Sequence, residues 1–278
     1  MCSERLKMEA HMIVEWNAHM FSSNLSRYPF YARAAYIPSF ASLLEDPLAA
    51  YQRRMEKLGI DRAVLVQPEP YGDDHRLILD CLQRDPLRLK ATCLFLPKDP
   101  EALSKLTDLV AAEPRIIALR FHAHRGKELY LDSFYDKSVH ALWQRAGELG
   151  LVIELHIGPN YAKQVADVIN DYPDFPVLID HLAEPQFGTA EEYEDVLALG
   201  RFPNVTMKLS GLEHFSQEPE PHLDAKPLVT RVAAAFGPDR LAWSGGTPRV
   251  VDVLLDHWSE TDRAKVKGTN LARLAGFR

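Results

Sequence analysis

The chain has 278 residues, 46% of them apolar and 26% charged, and a formal net charge of −7. That length supports a full hydrophobic core, and the modest acidic balance, with no lysine- or arginine-rich run, argues against a nucleic-acid partner. Cys2, Cys81 and Cys93 are too few and too unevenly spaced for a disulfide framework or a thiolate zinc site. The first residues lack the apolar stretch of a signal peptide, and no apolar run approaches the ~20 residues of a membrane span. These features predict a cytoplasmic protein with reduced thiols and no membrane partner.

Short β-rich runs alternate with longer amphipathic stretches. Met12–Trp16 is the first predicted strand, followed by a long loop, Phe21–Asp46. The helix predicted over Pro47–Leu58 places Leu48, Tyr51, Met55 and Leu58 on one face. Strand two is Ala63–Gln67, with a helix over Asp73–Arg84. Strand three is Lys90–Phe95; its helix, Pro100–Leu109, has Asp99 as the expected N-cap. Strand four, Ile116–Phe121, leads to a helix over Asp136–Leu149 that Gly150 stops. The later strands are Leu151–His156, Val177–Asp180, Val205–Leu209 and Arg240–Trp243. Their helices are Tyr161–Tyr172, Ala190–Leu199, Pro227–Phe236, Arg249–Trp258 and Asp262–Leu274.

Eight such units in one series predict a single α/β domain over residues 1–278, a (β/α)8 TIM barrel. A doubly wound sheet would call for a glycine-rich phosphate loop after the first strand, and Asn17-Ala-His-Met-Phe21 is not one. Two loops exceed what the scaffold requires: Phe21–Asp46, with Arg33 and Tyr36, and Ser210–Ala225, with Glu213 and His214. Both follow strand C-terminal ends, the barrel face where active sites form, and their aromatic and charged content suits a substrate lid.

The same end of the barrel collects polar side chains. Strand one ends in Glu15-Trp-Asn17-Ala-His19, strand two in Gln67 and strand four in Arg120-Phe-His122-Ala-His124. Strand five ends in His156, six in Asp180-His181, seven in Lys208 and Ser210, and eight in Ser244-Gly-Gly-Thr247. A lone histidine in an apolar run is usually a satisfied core residue. Histidines recurring at one end of four parallel strands converge on one crevice, where unpaired imidazoles are costly unless they bind something.

These motifs resemble the amidohydrolase-2 family, nearest its branch of pyrone-dicarboxylate and sugar-acid lactonases. Asn17-Ala-His19-Met-Phe21, with Tyr28-Pro-Phe30 and Arg33-Ala-Ala-Tyr36-Ile-Pro38, is similar to that branch's H-x-H-V-F opening and aromatic, basic loop. Val66-Gln67, Leu119-Arg120-Phe121, Ile179-Asp180-His181-Leu-Ala-Glu-Pro185 and Val205-Thr-Met-Lys208-Leu-Ser210-Gly211 match further strand-end motifs. Lys267-Gly-Thr-Asn270-Leu-Ala-Arg-Leu-Ala-Gly-Phe277 resembles the closing helix. The resemblance implies an amidohydrolase-like TIM barrel and a hydrolase acting on a small carboxylated lactone or related ester-like bond.

The departures are specific. The family's D-x-H-x-H becomes Glu15-Trp-Asn17-Ala-His19, so Asn17 replaces the first histidine. The W-G-S/T-D-W-P closing strand becomes Trp243-Ser-Gly-Gly246-Thr-Pro248, so Gly246 stands where the family has its water-activating Asp. His19, His156 and His181 supply three nitrogens for a metal, but Asn is a poor zinc ligand and Gly is none. The expectation is a metal-free centre ahead of one that binds zinc or manganese in an altered geometry.

Catalytic candidates are then His19, Asn17, His156 and His181. Asn17 and His19 are expected to donate to the carbonyl, and His181, oriented by Asp180, or His156 to act as base; Glu184, Glu213 and His214 are loop alternatives. Arg120, Arg33, Lys208 and Arg249 suit a carboxylate, with Gln67, Tyr36 and His122 lining the mouth. Decarboxylation of a small unsaturated or aromatic acid is the alternative chemistry, since it requires no water-activating acid. An inactive ligand-binding homologue is the third reading. The expected partner is a small carboxylate; homo-oligomerisation is left open.

Overall fold

In the computed structural model, residues 12–123 and 130–278 are described. Eight strands pair in parallel and in chain order: β1 (Val14–Ala18), β2 (Arg62–Val66), β3 (Leu89–Leu94), β4 (Ile116–His122), β5 (Val152–His156), β6 (Val177–Ile179), β7 (Val205–Leu209) and β8 (Leu241–Trp243). They form a near-closed TIM barrel. At the seam between β8 and β1, the Trp16 backbone N–H donates to Ser244 Oγ at 2.9 Å.

Helix α1 occupies Pro47–Leu58, the span its periodicity predicts. Asp46 accepts from the Ala49 N–H at its start, and Gly59 ends it in the left-handed conformation. The following helices are α2 (Arg76–Arg84), α3 (Ala102–Ala112), α4 (Lys137–Glu148), α5 (Ala162–Asp171), α6 (Ala190–Ala198), α7 (Lys226–Phe236), α8 (Arg249–Leu254), α9 (Glu260–Ala264) and α10 (Asn270–Ala275). Among the described residues, no helix is long and apolar enough to cross a membrane.

Several boundaries differ from the sequence pattern for local reasons. Strand β1 starts at Val14 rather than Met12, because Val14 is the residue that meets Arg62, the first of β2. Helix α2 begins at Arg76 rather than Asp73, since Gln67 Nε2 donates to the carbonyls of Gly72 and Asp74 and holds that segment as a loop. Asp99 does not cap α3; its carboxylate accepts from the Glu101 N–H in the preceding turn. The single helix predicted over Asp262–Leu274 is α9, a wide π turn at Lys265–Thr269, and α10. Asn270, at the start of α10, donates to the carbonyls of Pro238 and Leu241 and fastens it beside β8.

Inside the barrel, Val14, Val64, Val66, Ala118, Val152, Leu178 and Ala242 pack together and are closed off by Leu271 and Ala275 of α10. The larger apolar layer lies between the strands and the surrounding helices. With the N-terminal end of the barrel filled by apolar side chains, the opposite end is left for polar groups.

Candidate active site

The floor of the mouth is a buried four-charge cluster. Lys208 Nζ lies 2.6 Å from Glu154 Oε1 and 2.7 Å from Asp180 Oδ1, and all three side chains are fully buried. Arg120 donates to Asp180 Oδ2 through Nε at 3.0 Å and Nη2 at 2.7 Å. Glu154 Oε2 also accepts from Trp16 Nε1–H and the Thr92 hydroxyl. Burial would raise the Asp180 carboxyl, but Lys208 and then Arg120 outweigh it and hold the group well below the ordinary carboxylate range. Two cations and two anions, each with hydrogen bonds, meet the condition under which buried charge is tolerated.

Above the floor runs a belt of imidazoles. The rings of His122 and His156 meet edge to face at 4.5 Å, His156 and His181 at 4.9 Å, and His181 and His214 at 5.2 Å. Arg120 Nη2 lies 2.9 Å from His156 Nδ1, and a guanidinium only donates. His156 Nδ1 is therefore an acceptor, and its Nε2 carries the proton donated to Glu184 Oε1 at 2.7 Å. The carboxylate of Glu184 is shared: Oε2 accepts from His214 Nδ1 at 2.9 Å and from Gln186 Nε2 at 2.6 Å.

An uncommon backbone places His181 and Glu184. His181, Leu182, Ala183 and Glu184 have φ of 51°, 54°, 59° and 49°, a run of four non-glycine residues in the left-handed region. Each costs about 1–2 kcal/mol. The fully buried Leu182 and Ala183 and a hydrogen bond from Tyr193 to the Leu182 carbonyl hold the turn. Its short-pitch spiral brings positions 181 and 184 close together. Gly211 makes room for it: a Cβ there would lie 2.7 Å from His181 Cβ.

Asn17 in β1 and His19 just beyond it lie at the same end of the barrel, His19 near enough to feel the charges of Arg120, Asp180 and Lys208. The His19 Nδ1–H donates to the Val66 carbonyl at 3.0 Å, and burial, reinforced by Arg120, lowers the imidazole to about 3. Neutral His19 thus presents Nε2 as an acceptor, so the expected carbonyl-donor role is corrected: its one N–H is already committed. Asn17 Oδ1 is buried with no hydrogen-bond partner among the described residues, a polar atom placed for a donor brought by a ligand. Burial also holds His181 well below its usual value, against the pull of Asp180. Its Nδ1 lies 2.9 Å from Ser210 Oγ, so Ser210, not Asp180, orients the ring.

The remaining candidates separate. Arg120 is almost wholly buried, and its Nη1 makes no hydrogen bond among the described residues. Tyr36, on the loop over the mouth, lies close enough to act on the Arg120 charge. The loop is docked by the Ala35 N–H on Glu69 Oε1 and by the Tyr31 N–H on the Pro70 carbonyl; Arg33 is exposed on it. Lys208 lies in the floor with its ammonium committed to two carboxylates, and the Gln67 amide nitrogen is spent on backbone carbonyls. Arg249 is exposed on the first turn of α8 and makes no contact with the imidazole belt among the described residues. His124 lies outside the described residues. Sequence reasoning did not reach Glu154, because an acid inside an apolar strand gives no periodic signal, and it gave Ser210 no role.

Nitrogen and oxygen atoms of His156, His181 and Glu184 all lie within 4.8 Å of one another, a spacing that a metal ion would accept. Their bonding does not suit one. A ligating histidine presents a bare nitrogen and donates its other N–H outward. In His156 the outward nitrogen faces the Arg120 guanidinium and is bare, while the inward one carries the proton given to Glu184. Both Glu184 oxygens already have donors. The donor set is internally satisfied and does not fit a resident cation.

Comparison with known proteins agrees with the barrel. The amidohydrolase family model matches residues 8–276. A 4-sulfomuconolactone hydrolase of Hydrogenophaga intermedia is 26% identical over 276 residues, 93% of this chain and 86% of that protein. An L-fucono-1,5-lactonase of Burkholderia ambifaria is 26% identical over 214 residues, 74% of this chain and 70% of that protein. Among solved structures, a probable 2-pyrone-4,6-dicarboxylic acid hydrolase of Acinetobacter baumannii with citric acid bound superposes with a TM-score of 0.78 at 20% identity, covering 95% of this chain and 99% of that one. The chain belongs to the amidohydrolase-2 family.

Proposed function

We propose that the protein hydrolyses a small lactone bearing a carboxylate or comparable anion. The observation that carries this reading is the imidazole belt seated directly on the Arg120–Asp180 pair. Two relatives are named as lactone hydrolases, and a third protein of the same fold holds citric acid, which supports an anionic substrate of similar size.

In the reaction, water adds to the lactone carbonyl as its proton passes to a base. The ring C–O bond then breaks, and the ring oxygen leaves with the electron pair and is protonated. Arg120 Nη1, Arg33 and Tyr36 suit the anionic end of the substrate. Asn17 Oδ1 and His19 Nε2 are acceptors, so they suit the attacking water or a substrate hydroxyl. A positioned base is worth roughly 10²–10⁴ in rate, which the belt is arranged to supply.

A panel comprising a sulfonated muconolactone, a sugar 1,5-lactone and a pyrone dicarboxylate tests the reading by ring opening. Opening of one or more is expected. If none opens, with or without added zinc or manganese, the reading is overturned. Carbon dioxide release without ring opening would replace it with decarboxylation.

A further inference from the structure

We infer that Ser210, bonded to His181, is the nucleophile of the site. This rests on the hydrolytic reading above and divides its addition of water into two halves. Ser210 opens the ring, and water then adds to the same carbonyl carbon and releases the acid from the serine.

Ser210 follows β7 directly, is 3% exposed, and has a glycine on either flank. On one side, a Cβ on Gly211 would lie 2.9 Å from His181 Cγ and 3.0 Å from Nδ1, so glycine is what lets the imidazole come so close to the end of β7. Ser210 Oγ then lies 2.9 Å from His181 Nδ1. On the other side, a Cβ on Gly245 would meet nothing nearer than Asn17 Nδ2 at 3.7 Å and Ser210 Cβ at 3.9 Å. No side chain fills that second flank of the serine.

The Ser210 hydroxyl has no other hydrogen-bond partner among the described residues. A buried O–H left without an acceptor costs about 1–3 kcal/mol, so Ser210 donates to Nδ1 and the ring carries its own proton on Nε2. Burial keeps that ring neutral, with Nδ1 able to accept, and Asp180, its neighbour in the chain, favours the imidazolium that forms. A hydroxyl and a base within hydrogen-bond reach are the two parts that covalent acyl transfer requires. In the eight-strand order, β4 and β8 stand on opposite sides of the barrel. A substrate whose anion meets Arg120 on β4 thus extends across the mouth toward Gly245 and Ser210.

Ser210 Oγ adds to the lactone carbonyl as its proton passes to His181 Nδ1, with Asn17 Nδ2 as the donor beside the oxyanion. The ring C–O bond breaks, the ring oxygen keeps the electron pair, and His181 returns the proton to it. Water then adds to the acyl carbonyl and gives a proton to Nδ1. The serine oxygen leaves with its electron pair and recovers that proton, so one water is consumed for each lactone opened.

The experiment uses the full chain, first with an alkyl fluorophosphonate and then with the lactone opened in the panel above. The fluorophosphonate requires no lactone chemistry: Oγ displaces fluoride from phosphorus as the hydroxyl proton passes to His181. Mass spectrometry is expected to find one adduct, on the peptide bearing Ser210, and none in Ser210→Ala. With the lactone, acid-quenched wild type should carry an adduct of the whole lactone mass on the same peptide, because the leaving oxygen stays tethered. Ser210→Ala is expected to lower kcat about 1000-fold or more. Retention of kcat within about tenfold in that variant overturns the assignment. So does a wild type that opens the lactone yet carries neither adduct on Ser210. A wild type that opens no lactone fails the functional reading instead, and the fluorophosphonate then still decides the nucleophile.

Discussion

Glu220 stands beside Gly246: a Cβ on Gly246 would lie 3.2 Å from Glu220 Oε2, and Thr247 Oγ1 donates to Glu220 Oε1. The room left where the family motif carries an acid is therefore taken by Glu220 from the loop after β7. Gly246 has φ of 64°, and its carbonyl accepts from Arg54 Nη2. Gly246→Asp would add left-handed strain and a second negative charge against Glu220. A loss of about 1–2 kcal/mol in urea unfolding, with no gain in hydrolysis, is expected. Higher turnover in that variant would show that a simple catalytic acid had been lost.

Lys208→Ala should be among the most destabilising single changes. It leaves Glu154 and Asp180 buried without the ammonium that bridges them, and breaking such a pair costs about 3–5 kcal/mol. Urea denaturation measures it. A stable variant altered only in KM would instead place Lys208 on the substrate.

Arg120→Lys keeps the charge and loses the fork that spans Asp180 and His156. Stability should fall by about 1–3 kcal/mol, and kcat should fall together with substrate affinity, since the belt loses its anchor. A rise in KM alone, at unchanged melting temperature, would confine Arg120 to substrate binding.

Stability should decline on mild acidification. Burial lowers His75 to about 4 and His19 to about 3, whereas an unfolded histidine titrates near 6.5. Between those values the unfolded chain binds protons that the folded chain refuses, so stability is lost as pH falls from about 6.5 toward 4 and below. His75 Nε2 accepts from the Leu94 N–H and lies outside the imidazole belt, so His75→Gln should flatten the slope of melting temperature against pH. An unchanged slope would remove His75 from the account.

Elemental analysis of purified protein should find transition metal well below one equivalent per chain, and chelator should leave turnover unchanged. Near-stoichiometric metal that is lost on His156→Ala would overturn the bonding argument for His156.

The barrel was legible because its signal is repetitive. Eight apolar runs, each followed by an amphipathic stretch such as Pro47–Leu58, describe one architecture whatever the error at each boundary. The errors arose where side chains override pattern: Gln67 unwinds the start of α2, and Asn270 fastens the last helix after a π turn. The strand-end histidines were visible too, since a polar residue closing an apolar run marks the open end of a barrel strand.

By itself, the sequence determined the family, the order of the strands and the end of the barrel at which polar groups gather. Tertiary structure alone decided which nitrogen of each imidazole is occupied, because that depends on partners far along the chain. Arg120 sets His156, Val66 sets His19, and Glu184 sets His214. It also decided that Lys208 is floor rather than mouth, and that Glu220 stands beside Gly246. Spacing along a strand fixes the end at which a side chain emerges; its protonation and bonding follow from neighbours that only folding brings within 3 Å or so.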